Sequence, residues 1–153
     1  SNYAPAHFEL ALVYERQGKT KEAITRMENS LILVPGDSGV AFQLGVLYYK
    51  NSQFDRAKLA FARAITLDPN FSNARYFLGL LFDRDGNKES AIEQFEKIAE
   101  LNPDNESIKQ ILANLHAGQP ALSAGGPPKQ PEQIPIENQP EEIESPTQLP
   151  KSK

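Results

Sequence analysis

Apolar residues recur along this chain at the three- and four-residue spacing of amphipathic helices, interrupted at regular intervals by glycine, serine or proline. Leu10, Val13 and Tyr14 mark a helix over residues 4–17, and Pro5 is tolerated in its first turn, where the missing N–H is not needed. Gln17-Gly18-Lys19 turns the chain, and a second helix is expected to begin near Thr20, a good N-cap with Glu22 in the first turn. The same pair of elements then recurs over residues 38–51 and 54–67, and again over 72–85 and 88–101. Each second helix is expected to stop before Pro35, Pro69 or Pro103, because the residue preceding a proline disfavours the helical region. Gly18 and Gly86 share one position of the pattern, suited to the left-handed backbone that ends a helix, and Ser52 takes it with more strain. A last helix, 106–117, carries Ile108, Ile111, Leu112 and Leu115 on one stripe and has no partner, as a cap over an otherwise exposed apolar face would.

The prolines lie 34 residues apart, and other residue types share that period. In Ser38–Phe71 the marked positions are Leu44, Gly45, Tyr48, Ala57, Phe61, Ala64 and Pro69. Upstream they are Leu10, Ala11, Tyr14, Ala23, Met27, Ser30 and Pro35; downstream, Leu78, Gly79, Phe82, Ala91, Phe95, Ile98 and Pro103. These copies resemble tetratricopeptide repeats. Ala11, Met27, Ser30 and Ile98 depart from the family pattern without breaking the period. The resemblance implies an all-α solenoid with repeats at 4–37, 38–71 and 72–105, a capping helix at 106–117 and a lead-in at 1–3. Gly45 against Ala57, and Gly79 against Ala91, are expected to admit close helix crossing, with Phe61 and Phe95 filling the space toward the next repeat.

Composition divides the chain. Only 39% of residues are apolar and the mean hydropathy is -0.50, with the deficit at one end: no Phe or Tyr follows Phe95. Residues 118–153, rich in Pro, Gln and Glu, cannot bury enough surface to offset ordering entropy and are expected to form a disordered tail. Its Pro-x-x-Pro at Pro128–Pro131 reads as spacer, and a minor reading has Ile134, Ile136 and Ile143 folding back as an internal ligand. The net charge of -4 is spread over both parts, which argues against nucleic acid as a partner. No apolar run reaches the roughly 18 residues of a spanning helix and no signal peptide opens the chain, so direct membrane contact is not expected. Ser1-Asn2, without Met, reads as a remnant ahead of a cut chain. The compartment expected by default is the cytoplasm, or the outer face of a membrane if the parent is an envelope protein.

Candidate chemistry is sparse. Without cysteine there is neither disulfide nor thiolate metal site. His7 and His116 lie at opposite ends of a rod-like stack. Asp83 to Glu89 places oxygens at alternating positions, but its glycine is misplaced for a calcium loop and Gln94 stands where the bidentate Glu belongs. Asn70-Phe71-Ser72 and Asn105-Glu106-Ser107 match the glycosylation pattern and double as helix N-cap segments. No metal, cofactor or catalytic set is expected, and the chain reads as a non-enzyme.

The resemblance assigns the first helix of each repeat to an inner groove. The matching positions are Phe8, Leu12, Phe42, Val46, Tyr49, Tyr76 and Leu80, with Gln43, Asn73 and Phe77 beside them. Grouped aromatics on one face mark a binding surface, although Phe8 and Leu12 could instead pack against upstream repeats. Arg16, Lys50 and Arg84 recur at one repeat position, where a cation suits the helix C-terminal dipole and could also orient an acidic peptide. Relatives that bind chaperone C-terminal carboxylates use a Lys/Asn/Asn/Lys/Arg clamp; at its positions this chain has Phe8, Leu12, Gln43, Asn73 and Phe77. The expectation is a protein-interaction module or scaffold that takes an apolar peptide segment. Two alternatives stand beside it. One is an appendage of a larger bacterial membrane or envelope enzyme, since repeats followed by Pro/Glu tails resemble the C-terminal parts of O-antigen ligase-type proteins. The other is self-association by end-to-end stacking.

Overall fold

A computed structural model of the chain describes residues 4–123, and every regular element among them is an α-helix. In chain order these are α1 (Ala4–Arg16), α2 (Thr20–Leu33), α3 (Ser38–Lys50), α4 (Phe54–Leu67), α5 (Ser72–Arg84), α6 (Lys88–Leu101) and α7 (Glu106–His116). The principal packing runs between consecutive helices, which makes the array an α-solenoid. None of these helices is long and apolar enough to cross a membrane.

The helix ends follow from local chemistry. Val34, Asp68 and Asn102 each precede a proline and leave the helix with φ of -128°, -134° and -140°. Gly18, Ser52 and Gly86 have φ of 72°, 57° and 80°; for Ser52 this left-handed backbone costs on the order of 1–2 kcal/mol. Thr20 is not the N-cap of α2. It is the first helical residue, and Lys19 precedes it without a side-chain cap bond. The Lys19 carbonyl already accepts the first intrahelical bond, from the Ala23 N–H at 3.0 Å, which makes Lys19 the cap position. At the same repeat position Asn87 is short enough to cap α6, accepting from the Ser90 N–H at 3.1 Å. Asn105 likewise caps α7, but Phe71 caps α5 with no side-chain bond, so only the second of the two Asn-x-Ser segments supplies a cap.

Within a repeat the glycines make room for a ring at the helix crossing. A Cβ on Gly45 would lie 2.6 Å from a ring carbon of Phe61, and one on Gly79 would lie 2.7 Å from Phe95. Helical side chains lean toward the N-terminus, so the ring four residues beyond Ala57 or Ala91 sweeps back over the crossing. Both alanines are buried beneath it. Phe61 stacks on Phe77 of the next repeat, with centroids 5.1 Å apart and planes 8° from parallel. Phe95 instead meets Tyr76 of its own repeat edge-on at 5.8 Å and joins a second cluster with Ile98, Ile108, Ile111 and Leu115.

The α7 stripe buries Ile108, Ile111 and Leu115, and leaves Glu106, Lys109, Gln110 and Ala113 facing outward. The chain does not leave the solenoid at Gly118. Ala121 is buried, its N–H donates to Asp83 Oδ2 at 2.8 Å, and its carbonyl accepts from Asn114 Nδ2 at 3.0 Å. Lys88 Nζ ties the strap down by donating to the Gln119 carbonyl at 3.0 Å and to Asp83 Oδ1 at 2.9 Å. Asp83 is thus occupied by the strap, while Asp85 faces Lys58 of α4, which holds its carboxyl below the usual carboxylate range. The remaining tail positions, including Pro128–Pro131, Ile134, Ile136 and Ile143, lie outside the described residues, as does the 1–3 lead-in.

Candidate functional site

Three first helices place their candidate residues in register. Phe8, Phe42 and Tyr76 share one repeat position; Leu12, Val46 and Leu80 share the next turn; Arg16, Lys50 and Arg84 end the three helices. Four-residue steps along an α-helix keep each set on one face.

Burial divides these residues into two layers. Phe8, Leu12, Phe42, Gln43, Tyr49, Tyr76 and Leu80 are half-buried, with part of each side chain open to solvent. Val46, Asn73 and Phe77 are buried, Phe77 to 3% exposure, and so underlie the face instead of lining it. The cause for Phe77 is the stack on Phe61, which pulls the ring inward. The equivalent position in the second repeat is Gln43, which has no such stack and stays partly exposed.

Phe77 is the hub of the site. Around its ring stand Phe42 at 6.1 Å, Tyr49 at 5.3 Å and Tyr76 at 6.0 Å between centroids, the two tyrosines edge-on. Phe42 is also held by Phe71 at 4.9 Å and Phe61 at 5.8 Å. Such tilted and edge-on pairs are favoured by the ring quadrupoles and contribute about 0.5–1.5 kcal/mol each beyond area burial. Each of the three partly exposed aromatics, Phe42, Tyr49 and Tyr76, is thus braced by at least two other rings. Burial, and secondarily the neighbouring Tyr49, pushes the Tyr76 hydroxyl above its ordinary value, so this face presents a neutral phenol.

The terminal cations are not equivalent. Lys50 pairs with Glu15 of α1. Arg84 lies over the Phe54 ring at 3.9 Å and bonds Asp85 at 3.2 Å, while Phe54 packs edge-on against Tyr49 at 5.7 Å. Arg16 is exposed at the end of α1. The face is apolar and aromatic in its middle, with its charges collected at the helix C-termini. Among the described residues no group of three or more His, Asp or Glu side chains is arranged to hold a metal ion.

A stack of helical hairpins with an aromatic face across successive first helices defines the class of helical-repeat solenoids. The chain belongs to the tetratricopeptide repeat family: family models of that description match residues 6–41 and 42–106. No curated protein matches it in sequence. Among solved structures it is similar to MamA, at 26% identity and a TM-score of 0.71 over 76% of this chain and 68% of that one. It is also similar to MamA from Desulfovibrio magneticus RS-1, at 23% identity and a TM-score of 0.68 over 77% of this chain and 67% of that one. A third similar structure is the first repeat domain of Spaghetti (RPAP3) bound to the HSP90 peptide SRMEEVD, at 22% identity and a TM-score of 0.68 over 75% of this chain and 91% of that one. The chain thus spans about two thirds of the length of the MamA structures.

Proposed function

We propose that this chain is a protein-interaction module that captures an apolar segment of a partner protein along the face formed by α1, α3 and α5. The observation that carries the reading is the set of half-exposed rings Phe42, Tyr49 and Tyr76 locked around the buried Phe77. Rings already held in place lose little freedom on binding, and partly exposed aromatics in a packed setting are the usual anchors of an interface. Phe8, Leu12 and Leu80 extend the apolar surface and Gln43 offers a hydrogen-bonding amide, with Val46, Asn73 and Phe77 as support beneath. Of the cations Arg16, Lys50 and Arg84 at the helix ends, Lys50 and Arg84 are engaged with Glu15 and Asp85, and exposed Arg16 is the one best placed to set the direction of the bound segment. An acidic C-terminal peptide is not the predicted ligand, because Phe8 and Leu12 stand where a carboxylate clamp needs a cation and an amide.

The role is binding and not catalysis. A crosslinking pull-down from the source lysate tests it, with the chain compared to a Phe42→Glu, Tyr76→Glu variant that keeps the same helical circular dichroism. Loss of one partner from the variant alone is the expected result. Identical partner lists for the two proteins would reject the assignment of this face.

A further inference from the structure

The two ends of the solenoid differ. At the C-terminal end α7 and the 119–123 strap close the stack, and the outward side chains Glu106, Lys109 and Gln110 are polar. At the other end the outer face of α1 is apolar and open. The repeat provides its own control. Val13 is 42% exposed, whereas its counterparts Leu47 and Leu81 are exposed to 2% and 1%. Ala6 is exposed where Val40 and Ala74 are buried, and Leu10 is half-buried where Leu44 and Leu78 are buried. Residues 6, 10 and 13 lie on one helical stripe, and the same stripe is buried on α3 and α5, which have a preceding repeat packed on them through α2 and α4.

We propose that the outer face of α1 is a stacking face for a further helical hairpin of the same repeat type, supplied by the stretch of polypeptide leading into α1. Its second helix lies on α1 as α2 lies on α3 and α4 on α5. Continuity with those two interfaces specifies the occupant's chemistry. It brings an apolar stripe to Ala6, Leu10 and Val13, and an acceptor for the Tyr14 hydroxyl, since Tyr48 at that repeat position donates to Glu28 of the preceding helix. A second copy fits less well. At the other end Glu106, Lys109 and Gln110 face outward with only Ala113 and Leu122 as apolar neighbours, a poor match for the α1 stripe, and two α1 helices alone, each of 13 residues, would bury far less than the roughly 800 Å² per partner of a stable pair.

The absence of cysteine makes the test direct. Val13→Cys is made both in the full-length gene product and in the 153-residue chain, and its alkylation rate is read by mass spectrometry of the tryptic peptide. Leu59→Cys, at a position 74% exposed on α4, serves as the control that reacts alike in both. The expected result is alkylation of the Val13→Cys thiol slower by about tenfold or more in the gene product, unchanged on dilution. Equal rates in the two proteins would overturn the proposal. Protection that disappears on dilution would overturn it too, by assigning the face to a second copy or a separate partner.

Discussion

Gly45 and Phe61 act as one packing unit, and the interaction has a sign that helix propensity alone would misjudge. Gly to Ala in a helix interior should gain about 1 kcal/mol. Here the new methyl would stand 2.6 Å from a Phe61 ring carbon, and that ring cannot withdraw, being fully buried between Gly45 and the stacked Phe77. Overpacking of this kind costs about 1–3 kcal/mol, so Gly45→Ala is expected to lower stability, by about 1 kcal/mol or more. Urea denaturation of the single variant and of the pair with Phe61→Leu measures it. The smaller side chain should recover part of the loss, and a Gly45→Ala protein more stable than the parent would reject the account. The same residue scale shows where sequence reading stopped. A repeat position tells which helix face a residue occupies, and this located Phe42, Tyr49 and Tyr76. It does not tell how deep the side chain sits. Phe77 and Gln43 share a position, yet one is drawn into a ring stack and the other remains partly open, and only the Phe61 ring decides between them.

Between elements, polar contacts tie one repeat to the next. The Tyr48 hydroxyl of α3 donates to Glu28 of α2, and Arg56 of α4 lies over the Tyr48 ring at 4.8 Å and 3.4 Å from Glu28 Oε1. Burial first, then the hydrogen bond and charge of Glu28, push the Tyr48 hydroxyl up from 10.0 to about 12. The native state therefore keeps this phenol protonated over a range in which the unfolded chain ionises. Its contribution is fully present below about pH 10 and is lost as pH rises toward about 12. The Tyr76 hydroxyl, raised for a similar reason, adds to the loss with the same sign. The urea midpoint of the parent should fall over this window, and Tyr48→Phe should fall less steeply while starting lower by about 1 kcal/mol. Parallel pH profiles would exclude the Tyr48–Glu28 link as the cause. Helix spans were legible from sequence at this scale because prolines and left-handed turn residues recur with the period. The 119–123 strap was not: the composition of residues 118–153 reads as a disordered tail throughout, and nothing in the local pattern announces that the Ala121 N–H will meet Asp83, which is 38 residues away.

Over the whole molecule, stability in a solenoid is close to a sum of repeat terms and nearest-neighbour interfaces, so an asymmetric stack opens asymmetrically. The first repeat has Met27 where the others have Phe61 and Phe95, and Ser30 where they have Ala64 and Ile98. Ser30 is buried at 1% exposure, so a small side chain fills this part of the core where the third repeat has Ile98. Its α1 also presents Val13, Leu10 and Ala6 to solvent in the 153-residue chain, whereas the third repeat is covered by α7 and latched through Asp83 and Lys88. All these differences point in one direction. Amides of α1 and α2 are expected to exchange with solvent through partial openings about 1–3 kcal/mol below those of α4 and α6 in native-state hydrogen exchange. As urea is added the two groups should merge only near the global transition. Equal protection of α1 and α5 at all denaturant concentrations would mean that the solenoid unfolds as one unit, and that the links from α1 and α2 to α3, Glu15–Lys50 and Glu28–Tyr48, outweigh the uncovered face.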